Sequence, residues 1–303
     1  MAEAVPQLTR DLHELQASDA GRFGGKSASL GELLHAGIPV PPGFAISTEA
    51  GTELTDSLCH DIVARYGRLG DEVPVAVRSS AVGEDSAEAT FAGQQDTYLW
   101  VRGAGAVCDA VRKCWASLYN PEAVAYRERF HIDNPAMGVT VQLMVDAVVS
   151  GVMFTCNPVS GDRSTIAINA SWGLGLAVVG GEVTPDDYLV SKVTGEIVRQ
   201  SVNDKAVAYL PGADGAERVE VDDARRREPC LDADRLAALG RMAKRIEKHF
   251  DAPQDIEWAF GHDGKLFILQ SRPVTGLAKT EAPAPAPPTS AMSMIFSKFG
   301  ANG

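Results

Sequence analysis

The sequence contains no apolar run that approaches the length of a membrane-spanning helix. Its first residues, MAEAVPQLTRDLHEL, lack the basic start and the apolar core of a secretory leader. It also has no C-x-x-C pair, and its cysteines are odd in number and widely spaced. These absences argue against a membrane segment, a signal peptide, a disulfide framework and a zinc knuckle. We expect a cytoplasmic protein with reduced thiols, which are Cys59, Cys108, Cys114, Cys156 and Cys230.

Basic residues are in the minority, with 28 Lys and Arg against 40 Asp and Glu, for a formal net charge of -12. An acidic surface repels nucleic acid and anionic membranes over long range, so we expect neither as a partner. The negative net charge does not exclude a nucleotide ligand, because phosphates respond to local cations. The length of 303 residues allows one large domain or two lobes that share a cleft.

The pattern of short elements predicts an α+β fold, because strands and helices do not alternate regularly. The pattern of strands and helices ends before residues 280–288 (TEAPAPAPP), whose composition predicts an extended linker. We therefore expect a folded domain over residues 1–278, with two lobes divided near 185–200, and a disordered linker and tail over 279–303. The β-branched runs predict strands at 73–77, 139–145, 148–154, 165–169 and 186–191. Helices are predicted at 105–118, 121–130 and 235–250, and the last has an apolar stripe at helical spacing.

A glycine-rich segment, GRFGGKSASL, occupies residues 21–30. Its Gly-Lys-Ser ending is that of a P-loop, but Ala20 stands where that motif requires glycine. Two other interpretations stay open. The segment is either an ordinary helix start or a different phosphate loop, in which helix amides and Lys26 face an anion.

Arg78 ends a predicted strand and is followed by two serines and an acidic turn. An arginine at a strand end beside a small-residue loop suits a phosphate, because its fork can grip two oxygens. A surface ion pair with Glu84 or Asp85 explains the same residues equally well.

A hairpin is predicted where DIEWAF and KLFILQ flank an Asp-Gly turn. Alternation puts Asp255 and Glu257 on one face, and folding about the turn sets Asp255 opposite Gln270 and Glu257 opposite Ile268. Two carboxylates, an amide and Arg272 could then converge, which suits magnesium held together with phosphates. An exposed polar face on an edge hairpin is the other interpretation.

Taken in order, GGKSASLGEL, IPVPPGFAIST, VAVRSSAVGEDS and FAGQQDTYL resemble the nucleotide-binding domain of the phosphoenolpyruvate synthase and pyruvate phosphate dikinase family. SGVMFTCNPVSG, SWGLG and DIEWAF with LFILQSRPVT extend the likeness over about residues 20–275. Each motif is weak alone, but the ordered set is specific. The resemblance implies an ATP-grasp fold, in which two α+β lobes clasp ATP and magnesium.

The resemblance also implies roles for individual residues. The catalytic phosphate contacts would be Lys26, Arg78, Arg127 and Arg272, and the magnesium ligands would be Glu257 and Gln270. Asp255 would be a nearby carboxylate, and the strand that receives adenine would contribute Gln142, Met144 and Val145. One position departs from the pattern: Leu176 stands where many relatives carry Glu, which puts a role for that carboxylate in doubt.

Members of this family pass a phosphoryl group from ATP to a histidine on a mobile domain. None of the six histidines here lies in the Gly/Thr/Ser-rich setting of that residue. We therefore expect a catalytic subunit that phosphorylates a histidine on a partner protein, as in split enzymes such as phenylphosphate synthase. That partner would carry the phosphohistidine domain and a substrate-binding domain. A self-contained small-molecule kinase and a non-catalytic nucleotide sensor are the alternatives.

Overall fold

The protein is described by a computed structural model that covers residues 7–81, 97–121, 123–124, 136–212 and 215–275. Two antiparallel sheets with helices packed on them confirm the predicted α+β class. The predicted helix at 121–130 falls mostly outside the described residues, and the predicted linker and tail at 279–303 fall wholly outside them.

The first sheet has five strands in the order β1-β2-β5-β3-β4. They are β1 (Thr9–Asp11), β2 (Gly43–Ile46), β3 (Val75–Ala81), β4 (Thr97–Val101) and β5 (Met137–Leu143). The helices of this part are α1 (Ala20–Phe23), α2 (Gly25–His35), α3 (Asp56–Leu69) and α4 (Ala104–Ala116). Short 3-10 turns cover Leu12–Glu14, Ala17–Asp19, Thr48–Ala50 and Ser117–Tyr119.

The two faces of the first sheet differ because side chains alternate along each strand. Val75 and Val77 of β3 and Val139 and Val141 of β5 belong to one apolar core together with α3 and α4. Residues of the other parity, such as Arg78, face the opposite side, toward the second sheet.

The second sheet has six strands in the order β13-β12-β6-β7-β8-β9. They are β6 (Ala147–Phe154), β7 (Thr165–Trp172), β8 (Asp186–Ser191), β9 (Ile197–Ser201), β12 (Gln254–Gly261) and β13 (Leu266–Pro273). A separate hairpin joins β10 (Val207–Pro211) to β11 (Ala216–Glu220). The helices of this second part of the chain are α5 (Leu176–Val179) and α6 (Ala233–Phe250), and a 3-10 turn covers Arg225–Arg227.

Helix α6 confirms the predicted amphipathic pattern. It begins at a cap in which the Asp232 side chain accepts a hydrogen bond from the Arg235 amide at 2.8 Å. Such a cap satisfies one of the free amides of the first turn. The apolar stripe packs into the largest core, which also contains β6, β7 and β12, and its members are Leu236, Leu239, Met242, Ala243, Ile246 and Phe250.

Helix α2 contacts both sheets. Ser27 shares a hydrogen bond of 2.6 Å with Thr140 of β5, and Ser29 donates one of 2.6 Å to the Ser271 carbonyl of β13. Leu30 and Leu33 of the same helix are fully buried in the core of the second sheet. Since one helix is fixed to both sheets, it sets how they meet.

The predicted lobe boundary near 185–200 does not coincide with a change of sheet. That stretch contains β8 and β9, which pair with each other inside the second sheet. The chain instead changes sheet between β5 and β6, at residues 144–146. The five strand predictions each overlap an observed strand, and the prediction for β8 has its observed bounds. Among the described helices, none has both the length and the apolar character needed to cross a membrane.

Candidate active site

A cleft lies where the two sheets face each other. It encloses about 960 Å³, including its open mouth, and it is lined by β3, β4 and β5 on one side and by β6, β12 and β13 on the other. The start of α2 and the α5 segment complete the lining. A cleft between two lobes is a common place for a cofactor site.

Arg78 and Glu257 meet at the polar end of the cleft. An Nη of Arg78 lies 3.5 Å from a carboxylate oxygen of Glu257 and donates to the Leu269 carbonyl at 3.4 Å. The arginine side chain is only 12% exposed, whereas that of Glu257 is 39% exposed. The Nε of Arg78 is buried and has no hydrogen-bond partner within the described part of the chain. A buried donor without a partner is costly, so this end of the cleft is suited to an anionic ligand. The surface pair with Glu84 or Asp85 that the sequence left open involves residues outside the described ranges.

Lys26 reaches the cleft from the first turn of α2. The helix begins directly after Gly24, whose φ of 82° favours glycine. A Cβ at Gly24 would lie 2.1 Å from the Ser80 carbonyl oxygen, so only glycine lets the helix start approach β3 this closely. Helix α1, not a strand, precedes this turn, which excludes the P-loop interpretation.

The other end of the cleft is apolar. Trp100, Ala147, Leu174 and Ala259 form a small core of their own, against which Met144, Val145, Tyr209, Ala216 and Leu269 pack. Gln142, Met144 and Val145, which the resemblance assigns to the strand near adenine, line the cleft. Met144 lies four positions beyond Thr140, which is paired with Arg78, so these residues are offset from Arg78 along the chain.

The hairpin of β12 and β13 confirms that the four predicted polar residues share a surface, but the predicted register is wrong. Asp255 pairs with Arg272 and Glu257 with Gln270, and a bulge shifts the register between Glu257 and Trp258. The turn is longer than the Asp-Gly turn that was predicted, since the Gly261 amide bonds to the Lys265 carbonyl. A longer turn and one bulge each displace the pairing by one residue.

This register separates the polar residues into two pairs. Arg272 donates a hydrogen bond of 2.9 Å from Nε to Asp255, and its Nη2 lies 2.9 Å from the same carboxylate oxygen, so these two side chains hold each other. Burial raises the pKa of Asp255 above its ordinary value, and the nearby Arg272 partly opposes that rise. Asp255 and Arg272 are not among the residues that line the cleft, and neither is Gln270. Within the described residues, Lys26, Arg78 and Glu257 are the charged groups that do. Arg127 lies outside the described residues.

Glu257 and Gln270 fit a magnesium ion. They are directly opposed on neighbouring strands, and Gln270 Oε1 is buried without a hydrogen-bond partner in the described structure. An unpaired amide oxygen beside a carboxylate provides two hard ligands. Within the described ranges, no group of three or more His, Cys, Asp or Glu side chains could hold a metal. A magnesium ion held by Glu257 and Gln270 would therefore need phosphates and water to complete its coordination.

Leu176 is the first residue of α5 and lines the cleft, where many relatives carry Glu. The chain before it is fixed by Ser150, which donates a hydrogen bond of 2.6 Å to the Gly173 carbonyl, and by the Leu174 amide, which bonds to the Tyr209 carbonyl at 2.8 Å. Sequence reasoning missed Ser150. The alternation of β6 could have suggested that it faces the cleft, but not that it anchors this loop.

The class of protein follows from the fold and the site. Two antiparallel sheets with packed helices enclose a lysine at a helix start, an arginine, and a carboxylate beside a buried amide, and this arrangement defines a nucleotide-binding protein. Comparison with known proteins gives the family. The model of the pyruvate phosphate dikinase AMP/ATP-binding domain matches residues 20–58 and 51–291. The chain belongs to this family, and it is an ATP-binding domain with phosphotransferase relatives.

A probable phosphoenolpyruvate synthase of Methanothermobacter thermautotrophicus is 41% identical, over 88% of this chain and 46% of that protein. A rifampicin phosphotransferase of Streptomyces is 37% identical, over 89% of this chain and 36% of that protein. The chain therefore spans less than half the length of these relatives. Among solved structures, a dinucleotide-forming acetyl-coenzyme A synthetase of Ca. Korarchaeum cryptofilum is 15% identical with a TM-score of 0.44, covering 86% of this chain and 96% of the other.

Proposed function

We propose that the cleft binds Mg-ATP and that the protein transfers a phosphoryl or pyrophosphoryl group from it. The juxtaposition of Arg78 and Glu257 in a cleft that is otherwise lined mostly by apolar residues carries this proposal. A nucleotide has the same polarity, with phosphates at one end and a flat base at the other. Adenine would lie against Met144 and Val145, and the phosphates would lie against Lys26 and Arg78.

Each residue has a distinct task in this proposal. Lys26 and Arg78 neutralise phosphate oxygens, and the fork of Arg78 also orients them. Glu257 and Gln270 would hold magnesium, which when bound neutralises charge that develops on the phosphates. Arg272 stays a predicted phosphate contact; reaching a phosphate requires it to leave Asp255, to which it is bonded here. Catalysis of this kind is mostly positioning and electrostatic stabilisation.

We further propose that the acceptor is a histidine on a partner protein, which then passes the group to a small molecule such as a phenol or pyruvate. Two observations support an acceptor from outside. The relatives are named as a phosphoenolpyruvate synthase and a rifampicin phosphotransferase, whose names imply group transfer to an acceptor. In the described part, no histidine lines the cleft: His249 lies 3.4 Å from Glu32 and His262 lies 3.5 Å from Asp146. The five free thiols fit the predicted cytoplasmic location.

The test uses ATP labelled separately at the β and γ phosphates, with purified chain alone and with a histidine-domain partner. We expect slow turnover alone, because water is the only acceptor and closed phosphoryl-transfer sites exclude it. With the partner, a dikinase should release AMP and phosphate and leave one label on a histidine. Rapid conversion of a small acceptor by the chain alone would instead establish a self-contained kinase. Tight Mg-ATP binding without transfer to any partner would favour the nucleotide sensor.

A further inference from the structure

Two cysteines on neighbouring helices are in direct contact. Cys59 lies in the first turn of α3 and Cys108 in the second turn of α4, and their Sγ atoms are 3.3 Å apart although both thiols are free. A disulfide requires the sulfurs to approach to about 2.05 Å, which is a further movement of roughly 1.2 Å. Both side chains already point toward each other, so small rotations can supply that movement.

The helices around this pair are fixed relative to each other. Tyr66 of α3 donates to the Val73 carbonyl at 2.7 Å and accepts from the Gly103 amide at 2.9 Å, directly before α4. Both cysteines also belong to the apolar core beneath the first sheet. The thiol contact is therefore part of a packed helix pair, not an encounter between loose side chains.

We propose that Cys59 and Cys108 are a reversible oxidation site, which forms a disulfide between α3 and α4 when a low-molecular-weight disulfide such as oxidised glutathione is present. Cys59 is partly exposed, whereas Cys108 is 3% exposed, so the oxidant meets Cys59 first. The Cys59 thiolate attacks the oxidant, forms a mixed disulfide and releases one glutathione thiol. The Cys108 thiolate then attacks Cys59 Sγ and releases the second glutathione thiol. Two electrons pass from the cysteines to the oxidant, and both thiol protons leave.

The buried thiol is the less reactive of the two. Burial, followed by the hydrogen bond and charge of Cys59, raises the pKa of Cys108 to about 12. This favours the neutral thiol, which is inert. Once Cys59 is in a mixed disulfide, the part of that rise that comes from its thiol disappears. The resulting bond closes a loop that includes β3 and β4, on the sheet face turned away from the cleft. We expect it to stabilise the first sheet and leave the nucleotide site open.

The experiment treats the full chain with oxidised glutathione and follows it by mass spectrometry after alkylation. We expect two of the five thiols to become protected, a linked peptide containing both cysteines, and recovery by dithiothreitol. The thermal midpoint should rise by roughly 5 °C or more relative to the reduced protein. Cys59→Ser should abolish both changes, and Cys108→Ala should stop at a glutathione adduct on Cys59.

Three results would overturn the proposal: no reaction of the unmodified chain, a stable glutathione adduct on Cys59, or a bond to any other cysteine. The peptide map of the unmodified chain decides among them even where a variant fails to fold. None of these readouts requires nucleotide, so the outcome is independent of the function of the cleft.

Discussion

Replacing Glu257 by glutamine tests the proposed metal site with little change in shape. The variant keeps an oxygen and the size of the side chain but removes the charge that a magnesium ion requires. The ion pair with Arg78 is lost as well. At 3.5 Å and with Glu257 39% exposed, that pair contributes at most about 1 kcal/mol to folding. We therefore expect the unliganded variant to unfold within about 1 kcal/mol of the wild type.

The effect on binding should be larger. Loss of one charge-assisted contact costs about 1.5–3 kcal/mol, which corresponds to a Kd for Mg-ATP that is roughly 10- to 160-fold weaker. Without magnesium the sign should change, because the Glu257 carboxylate then repels the phosphates. Metal-free ATP should bind Glu257→Gln as well as, or better than, the wild type.

Isothermal titration calorimetry with and without magnesium measures both values. Glu49→Gln is a matched control, since Glu49 also pairs with an arginine, at 2.9 Å and 48% exposure, but outside the cleft. The control should bind as the wild type does in both buffers. The reasoning is refuted if Glu257→Gln retains wild-type affinity for Mg-ATP, or if it weakens ATP equally with and without the metal.

Three further predictions concern the cleft and its supports. Lys26→Ala should weaken the binding of Mg-ATP by about 1.5–3 kcal/mol in calorimetry. Lys248→Ala, on the exposed face of α6, should leave the binding unchanged. Equal effects of the two substitutions would show that Lys26 is not part of the site. Asp255→Asn should melt at the same temperature as the wild type or higher at pH 7. Because burial raises the pKa of Asp255, its ionisation lowers the stability of the wild type as pH rises through the folded pKa. The advantage of the variant should therefore vanish below about pH 3.8. A large loss of stability in the variant at pH 7, measured in a thermal scan, would show that the ion pair of Asp255 dominates. Gly24→Ala should lower the free energy of unfolding, measured in urea, by more than about 2 kcal/mol. The loss should exceed that of Gly51→Ala, because Gly51 has a similar φ but open space around it. Similar losses in the two variants would mean that backbone strain alone matters.

Local sequence patterns identified seven of the thirteen described strands, together with α4 and α6. The β-branched runs around Val75, Val77, Val139 and Val141 identified β3 and β5, and the stripe of α6 identified its buried side. These patterns succeed because a half-buried element repeats its contacts at the period of its own backbone. Lys26 and Arg78 were named on other grounds, which are the glycine-rich segment, the strand end beside two serines and the family resemblance.

The division of the sheets could not be derived in the same way. The strands of each sheet are joined by hydrogen bonds between distant residues, such as the pairing of β6 with β12 across about a hundred positions. The periodicity of a single strand does not indicate which distant strand is its partner. The stretch 185–200, where the lobe boundary was expected, contains β8 and β9, which pair with each other within the second sheet.

The sequence by itself determined the chemical inventory of the site: a lysine after two glycines, an arginine at a strand end, and a hairpin rich in carboxylates. Only the tertiary structure decided which of these residues meet. One extra turn residue and one bulge moved Asp255 opposite Arg272 and Glu257 opposite Gln270, with Arg78 of the other sheet brought to Glu257. A strand has a period of two, so each one-residue shift changes every cross-strand partner while leaving the residue pattern of the strand unchanged.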